Sequence, residues 1–223
     1  MQIIAHRGAS LECPENTLAA IERAIEIGVD AIEIDLLLSR DRRLVIRHDD
    51  LIEKDGEWHY VNELTLAELR TIDLGGGERM PDLESVLEHL HGQCPLVLDI
   101  KDFGIAPVLA EVLDRRGGGA EVEATSFLHS EIKALGRLRP RMKRSVGLAS
   151  IPLSFDRVVE GTGASGASLF RGYLNEEIVA NLHAIGVRVL VYPVNLVREA
   201  VKFSSWKVDG IYTDDPRAMR DSR

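Results

Sequence analysis

The sequence predicts an α/β protein that folds as a (β/α)8 TIM barrel. Short apolar runs alternate with amphipathic stretches along most of the chain, as parallel strands joined by crossover helices do. There are eight such runs in 223 residues, and eight parallel strands close a barrel of this kind. We predict the strands near Gln2–His6, Ala31–Leu37, Leu96–Lys101, Glu121–Ser126, Arg144–Leu148, Gly166–Phe170, Val187–Tyr192 and Asp209–Thr213.

The predicted helices each carry one apolar stripe that should pack on the barrel wall. In the first, from about Asn16 to Ile27, this stripe consists of Leu18, Ile21, Ala24 and Ile25. Asn16 is its predicted N-cap, and Gly28 is its terminator. Further helices are predicted over Leu66–Arg70, Ser85–His91, Ile105–Arg116, Ser130–Leu138, Glu176–Ile185 and Leu196–Ser204.

A second strand-like run, Leu44–His48, begins only a few residues after the second strand. A connection this short permits antiparallel pairing but not a parallel crossover. We therefore expect an extra hairpin strand that returns toward the barrel and brings His48 near Glu33 and Asp35.

The segment from about 51 to 95 is polar and is interrupted by Gly75-Gly76-Gly77. It is interpreted as a small insertion over the C-terminal face of the barrel. No repeat or low-complexity tract divides the chain, so we expect a single domain over 1–223.

The composition is that of a globular protein. Hydrophobic residues make up 45% of the chain and charged residues 28%, and no apolar stretch is long enough to span a bilayer. The net charge of −9 argues against coating nucleic acid or anionic membranes, which needs clustered Lys and Arg. A phosphate substrate is still compatible with this charge, because a bound cation and a few basic residues can invert the field in a pocket.

The amino-terminal residues and the cysteines indicate a cytoplasmic protein. Met1–His6 forms a predicted strand and lacks the features of a secretory signal. Cys13 and Cys94 are far apart without metal-ligand spacing, so both are expected to be free thiols. The sequence leaves the oligomeric state open.

Two predicted strands carry carboxylates on one face. In the second strand, Glu33 and Asp35 are two residues apart and therefore point to the same side. Asp99 and Lys101 repeat this arrangement in the third strand. Buried carboxylates need a positive partner, and three oxygens suit a hard divalent cation such as Mg²⁺ or Ca²⁺. A strand face open to water, or an ion pair between Asp99 and Lys101 alone, are the simpler alternatives.

Two histidines lie at predicted strand ends, where barrels place their working residues. His6-Arg7-Gly8 follows the first strand, and His48 ends the extra strand. Two histidines can divide the work of general base and general acid, and Arg7 can bind a phosphate through two hydrogen bonds. Gly8 is expected to let a ligand approach the backbone.

The chain closely resembles the glycerophosphodiester phosphodiesterase family in several motifs whose order and spacing agree over nearly its whole length. These motifs are Ile4-Ala5-His6-Arg7-Gly8-Ala9, Pro14-Glu15-Asn16-Thr17, Glu33-Ile34-Asp35, His48-Asp49, Pro81-Asp82-Leu83, Asp99-Ile100-Lys101 and Val208–Pro216.

The resemblance implies hydrolysis of a small glycerophosphodiester to glycerol 3-phosphate and an alcohol. It implies one divalent metal ion, Mg²⁺ or Ca²⁺ or else Mn²⁺, at Glu33, Asp35 and Asp99. His6 and His48 would be the acid and base, and Arg7 and Lys101 would bind the phosphate. The nucleophile would be either the substrate's glycerol hydroxyl, giving a cyclic phosphate, or water.

Two positions depart from the family pattern. Asp99 stands where the family more often has Glu, so its carboxylate is one methylene shorter. Tyr192-Pro193-Val194-Asn195 replaces a more usual run of an aromatic residue, often Trp, followed by Thr-Val-Asn. We expect Tyr192 to line the substrate pocket.

Other functions predict other features. A lysophospholipase D would need an apolar, accessible mouth, whereas the insertion is mostly polar. A barrel that binds phosphorylated ligands without turnover should have lost part of the catalytic set, which is complete here. A Schiff-base aldolase needs an unpaired lysine, and Lys101 lies beside Asp99.

Overall fold

Eight parallel strands close into a barrel in the computed structural model, which describes residues 1–116 and 121–222. In chain order the strands are β1 Gln2–His6, β2 Ala31–Leu38, β3 Leu44–Ile46, β4 Leu51–Lys54, β5 Glu57–Tyr60, β6 Leu96–Ile100, β7 Val122–Ser126, β8 Lys143–Leu148, β9 Gly166–Phe170, β10 Arg188–Tyr192 and β11 Gly210–Thr213. The ring runs β1-β11-β10-β9-β8-β7-β6-β2, and β2 closes it by pairing with β1. The predicted (β/α)8 barrel is confirmed, with each ring strand within one or two residues of its expected bounds.

Helices surround the ring, except α2 (Leu66–Leu69), which lies in the insertion. They are α1 Leu18–Ile27, α2 Leu66–Leu69, α3 Leu83–Leu90, α4 Ile105–Arg116, α5 His129–Leu138, α6 Phe155–Thr162, α7 Glu176–Ala184, α8 Val197–Ser205 and α9 Pro216–Asp221. Among the described residues, none of these helices combines the length and apolar character needed to cross a bilayer.

The predicted cap of α1 was wrong. Thr17, not Asn16, is the N-cap, and its side chain accepts a hydrogen bond from the Ala20 N–H. Asn16 has a positive φ of 58° and turns its side chain toward the barrel mouth instead. Gly28 ends the helix in the left-handed conformation, as predicted.

The main core lies between the outer face of the ring and the helices. In β2 the side chains of Ile32, Ile34 and Leu36 are fully buried in this core. Because side chains alternate along a strand, Glu33 and Asp35 must point into the ring. The interior of the ring below them holds a small apolar cluster formed by Ile4, Ala31, Val97, Leu190 and Tyr212.

The extra strand pairs antiparallel with β2, as predicted, because a short turn joins them. Leu36, Leu37 and Leu38 of β2 are in register with Ile46, Val45 and Leu44 of β3. The chain then returns to the mouth, where the Arg47 N–H donates a 3.1 Å hydrogen bond to the Asp35 carbonyl. The next residue, His48, is thereby held at the carboxyl end of the ring.

The insertion contains a hairpin of β4 and β5 that the sequence analysis did not predict. It also has a core of its own, separate from that of the barrel and consisting of Leu37, Val45, Ile52, Val61, Leu64, Leu66, Leu69 and Met80. Helix α3, which follows the insertion, buries Leu83, Val86 and Leu90 in the main core. The insertion is therefore shorter than the predicted 51–95 and ends before α3.

Gly8 packs against α1 rather than opening the backbone to a ligand. Its φ is +82°, and an added Cβ would lie 2.7 Å from the backbone of Ala20. The turn after β1 can thus lie directly on α1, where the Ala9 N–H donates to the Ala20 carbonyl at 2.9 Å.

Replacing Gly8 with alanine should lower the free energy of unfolding by about 2–4 kcal/mol, from left-handed strain plus the clash with α1. Gly56 is a matched control, because it has a φ of +83° but no atom within 4 Å of an added Cβ. Gly56→Ala should lower the free energy of unfolding only by the strain of the left-handed conformation, about 1–2 kcal/mol. Urea unfolding of both variants measures the difference; equal losses would show that the close approach to α1 contributes nothing.

Candidate active site

The strand register brings three carboxylates together at the carboxyl end of the ring. Asp35 of β2 is directly opposite Asp99 of β6, and Glu33 is opposite His6 of β1. Oxygens of Glu33, Asp35 and Asp99 lie within 4.8 Å of one another, and all three residues are buried. The shorter side chain at position 99 therefore still reaches the other two.

Basic and amide groups hold this carboxylate cluster in place. The Lys101 ammonium lies 2.5 Å from Asp99 Oδ2 and 3.0 Å from Asp35 Oδ1, so it is shared and not a private partner of Asp99. The Asn16 amide donates to Asp35 Oδ2 at 2.8 Å, and its carbonyl oxygen accepts from the Asp35 N–H. The Arg7 N–H donates to Glu33 Oε2 at 2.9 Å.

The cluster has excess negative charge for its buried position. Burial, followed by repulsion from Asp35 and Asp99, raises the pKa of Glu33 well above its usual range. Burial likewise raises the pKa of Asp99 to about 6. For Asp35, attraction to Lys101 and then Arg7 outweighs burial and lowers the pKa. The two cations of the chain that contact the cluster, Lys101 and Arg7, therefore do not balance its three buried carboxylates.

These residues fit a hard divalent metal ion. Asp99 Oδ1 is buried and accepts no hydrogen bond from any part of the chain that the structure describes. An orphaned carboxylate oxygen beside two other buried carboxylates is what a cation would satisfy. An all-oxygen donor set suits Mg²⁺, Ca²⁺ or Mn²⁺ better than zinc, which prefers nitrogen and sulfur.

The two predicted histidines each contact a carboxylate through Nδ1. His6 Nδ1 is 2.7 Å from Asp214 Oδ1, and this hydrogen bond lowers the pKa of Asp214 to about 2. His48 Nδ1 is 2.7 Å from Asp49 Oδ1. A carboxylate on Nδ1 favours the tautomer that leaves Nε2 to exchange protons. His6 Nε2 lies on the side of the carboxylate cluster, 4.0 Å from Glu33 Oε2.

A cavity of about 260 Å³ opens above the cluster. One side is polar and contains His6, Arg7, Glu33, His48, Asp99 and Lys101. The other side is formed largely by Phe127, Tyr192 and Pro193, which follow or end the strands across the ring. Tyr192 lines this cavity, and its hydroxyl donates to the Leu148 carbonyl at 3.0 Å.

Arg7 and Lys101, the predicted phosphate ligands, both reach this cavity but are already engaged. Arg7 contacts Glu15 through Nη1 at 2.9 Å and approaches Asp35 through Nε at 3.3 Å. These carboxylates raise the pKa of the Arg7 guanidinium against the effect of burial. An anion in the cavity would compete with Glu15 for Arg7.

Sequence reasoning missed two residues of the site. Asp214 was noted only as part of the closing motif, and Asn16 was assigned to a helix cap. Their partners, His6 and Asp35, are 208 and 19 residues away along the chain. Asp214 directly follows the last ring strand, and this position was the available signal.

Comparison with known proteins identifies the family to which the chain is similar. The glycerophosphoryl diester phosphodiesterase family matches residues 6–218. A glycerophosphodiester phosphodiesterase of Caldanaerobacter subterraneus subsp. tengcongensis is 31% identical, over 97% of this chain and 95% of the relative.

Solved structures give the same result. An Oleispira antarctica phosphodiesterase in complex with the product sn-glycerol-3-phosphate is 26% identical and superposes with a TM-score of 0.94, over 100% of this chain and 96% of that one. A glycerophosphodiester phosphodiesterase from Agrobacterium tumefaciens str. C58 has a TM-score of 0.85 at 26% identity, over 99% of both chains. The family match covers nearly the whole sequence, and the chain belongs to the glycerophosphoryl diester phosphodiesterase family.

Proposed function

We propose that this protein hydrolyses glycerophosphodiesters to glycerol 3-phosphate and an alcohol, with a divalent metal ion and histidine acid/base catalysis. One pocket contains three buried carboxylates, two histidines, an arginine and a lysine, and this combination supports the proposal. The Oleispira antarctica relative, which binds sn-glycerol-3-phosphate as its product, supports the same substrate class.

Glu33, Asp35 and Asp99 would hold the metal ion. When bound, such an ion supplies positive charge that polarises a phosphoryl oxygen and stabilises the charge that develops on it. Lys101 remains beside Asp35 and Asp99 and adds a fixed positive charge at the same edge of the pocket. The planar guanidinium of Arg7 adds two parallel N–H donors, which match the oxygens of a phosphate group.

His6 and His48 would carry the protons. In-line displacement at phosphorus needs a base at the attacking hydroxyl or water and an acid at the leaving alcohol. His6 is the more buried of the two and has its Nε2 near Glu33, while His48 is more exposed at the rim. The nucleophile is either the glycerol hydroxyl of the substrate or water.

The test is release of glycerol 3-phosphate from glycerophosphocholine and glycerophosphoethanolamine. The assay compares added Mg²⁺, Mn²⁺ or Ca²⁺ with EDTA. Turnover that needs a metal and is lost in EDTA is the expected result. Absence of release with every ion and both substrates would overturn the proposal.

Replacing Asp214 with asparagine should lower kcat at least about tenfold with little change in KM, because Asn cannot hold the same tautomer and charge state of His6. Asp215→Asn is the matched control. Asp215 caps α9 by accepting from the Ala218 N–H, a role that Asn also fills. Steady-state kinetics of both variants measure the effect, and equal kcat values would exclude a positioning role for Asp214.

A further inference from the structure

The loop after β10 places Asn195 beside the end of β11. Val194 is fully buried in the main core, and its N–H donates a 2.8 Å hydrogen bond to the Tyr212 carbonyl. This bond holds the loop backbone against β11 one residue before Asn195. Since β10, β11 and β1 are neighbours in the ring, Asn195, Asp214 and His6 lie at three adjacent strand ends.

Both polar atoms of the Asn195 side chain contact Asp214. Asn195 Nδ2 donates to Asp214 Oδ2 at 2.6 Å, and Asn195 Oδ1 accepts from the Asp214 N–H at 2.9 Å. A backbone N–H can only donate, so the side-chain atom that faces it must be the amide oxygen. The NH₂ group of the amide must then face the carboxylate. The orientation of the Asn195 amide is therefore determined by its partners.

Asn195 holds the carboxylate oxygen of Asp214 that His6 does not use. Asp214 Oδ1 lies 2.7 Å from His6 Nδ1, while Oδ2 accepts from Asn195. A carboxylate that is bound at both oxygens cannot rotate without breaking one of the two bonds. Ser10 is a poorer holder, because its single hydroxyl proton lies closer to the His6 carbonyl, at 2.9 Å, than to Asp214 Oδ1, at 3.3 Å.

This restraint matters because the Asp214 side chain is 34% exposed. A partly hydrated carboxylate that is free to rotate can turn toward water. His6 would then lose the acceptor that selects the tautomer with a proton on Nδ1. A carboxylate fixed on Nδ1 keeps a working imidazole in one tautomer and one orientation.

We infer that Asn195 is a positioning residue, which fixes Asp214 and through it the tautomer and orientation of His6. The inference rests on the proposed function in one respect, the use of His6 as a proton carrier. Asn195 is not among the described residues that line the cavity, so it acts through Asp214 and not on the substrate. The alternative role is to anchor two loops, which needs only Asn195 Oδ1 as the acceptor for the Asp214 N–H and the Thr213 hydroxyl.

The first test measures the ¹⁵N chemical shifts of the His6 imidazole without added metal. The spectra are recorded at about pH 9, well above the usual pKa of histidine. The His6 signals are those that disappear in His6→Ala. The wild type should show a protonated Nδ1, and Asn195→Ala should move the Nδ1 and Nε2 shifts toward each other because both tautomers are then populated. Unchanged shifts in Asn195→Ala would refute the inference, whether or not the protein hydrolyses any diester.

The second test is a double-mutant cycle on glycerophosphocholine. Asn195→Ala should lower kcat about three- to tenfold with little change in KM, as for the loss of one hydrogen bond near the surface. Because Asn195 acts through Asp214, the double variant with Asp214→Asn should lose no more than Asp214→Asn alone. Losses that multiply would show that Asn195 acts independently of Asp214, as a loop anchor does, and would exclude the positioning role.

Asn175→Ala is the matched control for Asn195→Ala. Asn175 is also an asparagine whose side chain accepts from a backbone N–H, that of Ile178, but it caps α7 outside the pocket. Its kcat and its His6 shifts should equal those of the wild type. Urea unfolding of both variants verifies that each is folded under the conditions of the two tests.

Discussion

Replacing His6 with alanine should lower kcat for glycerophosphocholine by about 10²–10⁴-fold, the usual contribution of a positioned acid or base. His6 is the histidine whose Nδ1 is fixed by Asp214 and whose Nε2 lies on the side of the carboxylates. Its loss removes a proton carrier that Lys101 cannot replace, because three carboxylates raise the pKa of Lys101 and keep it charged. Steady-state assays with saturating metal measure the loss.

His183→Ala is the matched control for this variant. His183 also bonds a carboxylate, Asp209, at 2.9 Å, but it lies on α7 outside the pocket. Its kcat should stay within about twofold of the wild type, as for a change remote from the chemistry. A loss in His183→Ala equal to that in His6→Ala would point to general destabilisation.

A substrate with a good leaving group assigns the two histidine roles. A p-nitrophenyl diester needs little protonation of its leaving oxygen, so removing the general acid should matter much less than removing the base. His6→Ala and His48→Ala are both assayed on this diester and on glycerophosphocholine. The variant that lacks the general acid should regain activity on the p-nitrophenyl diester, and the variant that lacks the base should not. Full activity of both variants on glycerophosphocholine would exclude histidine catalysis.

Glu33→Gln should abolish most of the stabilisation that a divalent ion gives to the wild type. At 100 times its dissociation constant an ion adds about 2.7 kcal/mol to the free energy of unfolding. Residues that only support metal ligands contribute up to about 100-fold to metal affinity. Loss of a direct ligand should therefore weaken metal binding by at least about 100-fold. The same ion concentration would then add only about 0.4 kcal/mol to the variant.

Thermal unfolding with and without Mg²⁺, Mn²⁺ or Ca²⁺ measures this difference without relying on activity. In EDTA, Glu33→Gln should be at least as stable as the wild type, because it removes one of three clustered buried charges. Asp82→Asn is the control, since Asp82 is a buried carboxylate outside the cluster and caps α3, as Asn can. If Glu33→Gln kept the metal-induced increase in unfolding temperature, the ion would bind elsewhere.

Much of the site could be predicted because it depends on local patterns in neighbouring strands. The two-residue spacing of Glu33 and Asp35 determines that they share a face, and the repeat at Asp99 and Lys101 adds their partners. The register between these strands depends on closure of the whole ring. The alternation of strands and helices along the sequence predicts that ring. The positions of the metal-binding and histidine candidates followed from these patterns and from the family resemblance.

The features that were missed depend on contacts that alternation does not encode. The hydrogen bond between His6 and Asp214 joins the two ends of the chain and forms only when β11 closes against β1. Asn16 was assigned to the helix because its positive φ, which frees its side chain for Asp35, has no signature in apolar periodicity.

Two missed elements did carry local signals. The hairpin of β4 and β5 turns at Asp55-Gly56, both at positive φ, and Asp-Gly is a typical two-residue hairpin turn. Helix α6 begins at a Ser154 cap and ends at Gly163, but it has no fully buried residue. Its short apolar stripe of Phe155, Val158 and Val159 packs on the main core and was a further local signal that was overlooked.

The separate core of the insertion makes it a replaceable module. Its hydrophobic residues pack among themselves and against one side of the β2–β3 hairpin, while the carboxylates and His6 are held by the ring. Mutations that accumulate in the insertion therefore do not have to be compatible with packing of the main barrel core. Relatives could therefore exchange this segment by recombination while the groups held by the ring stay in place. The same independence makes it a practical place to graft loops without disturbing the barrel.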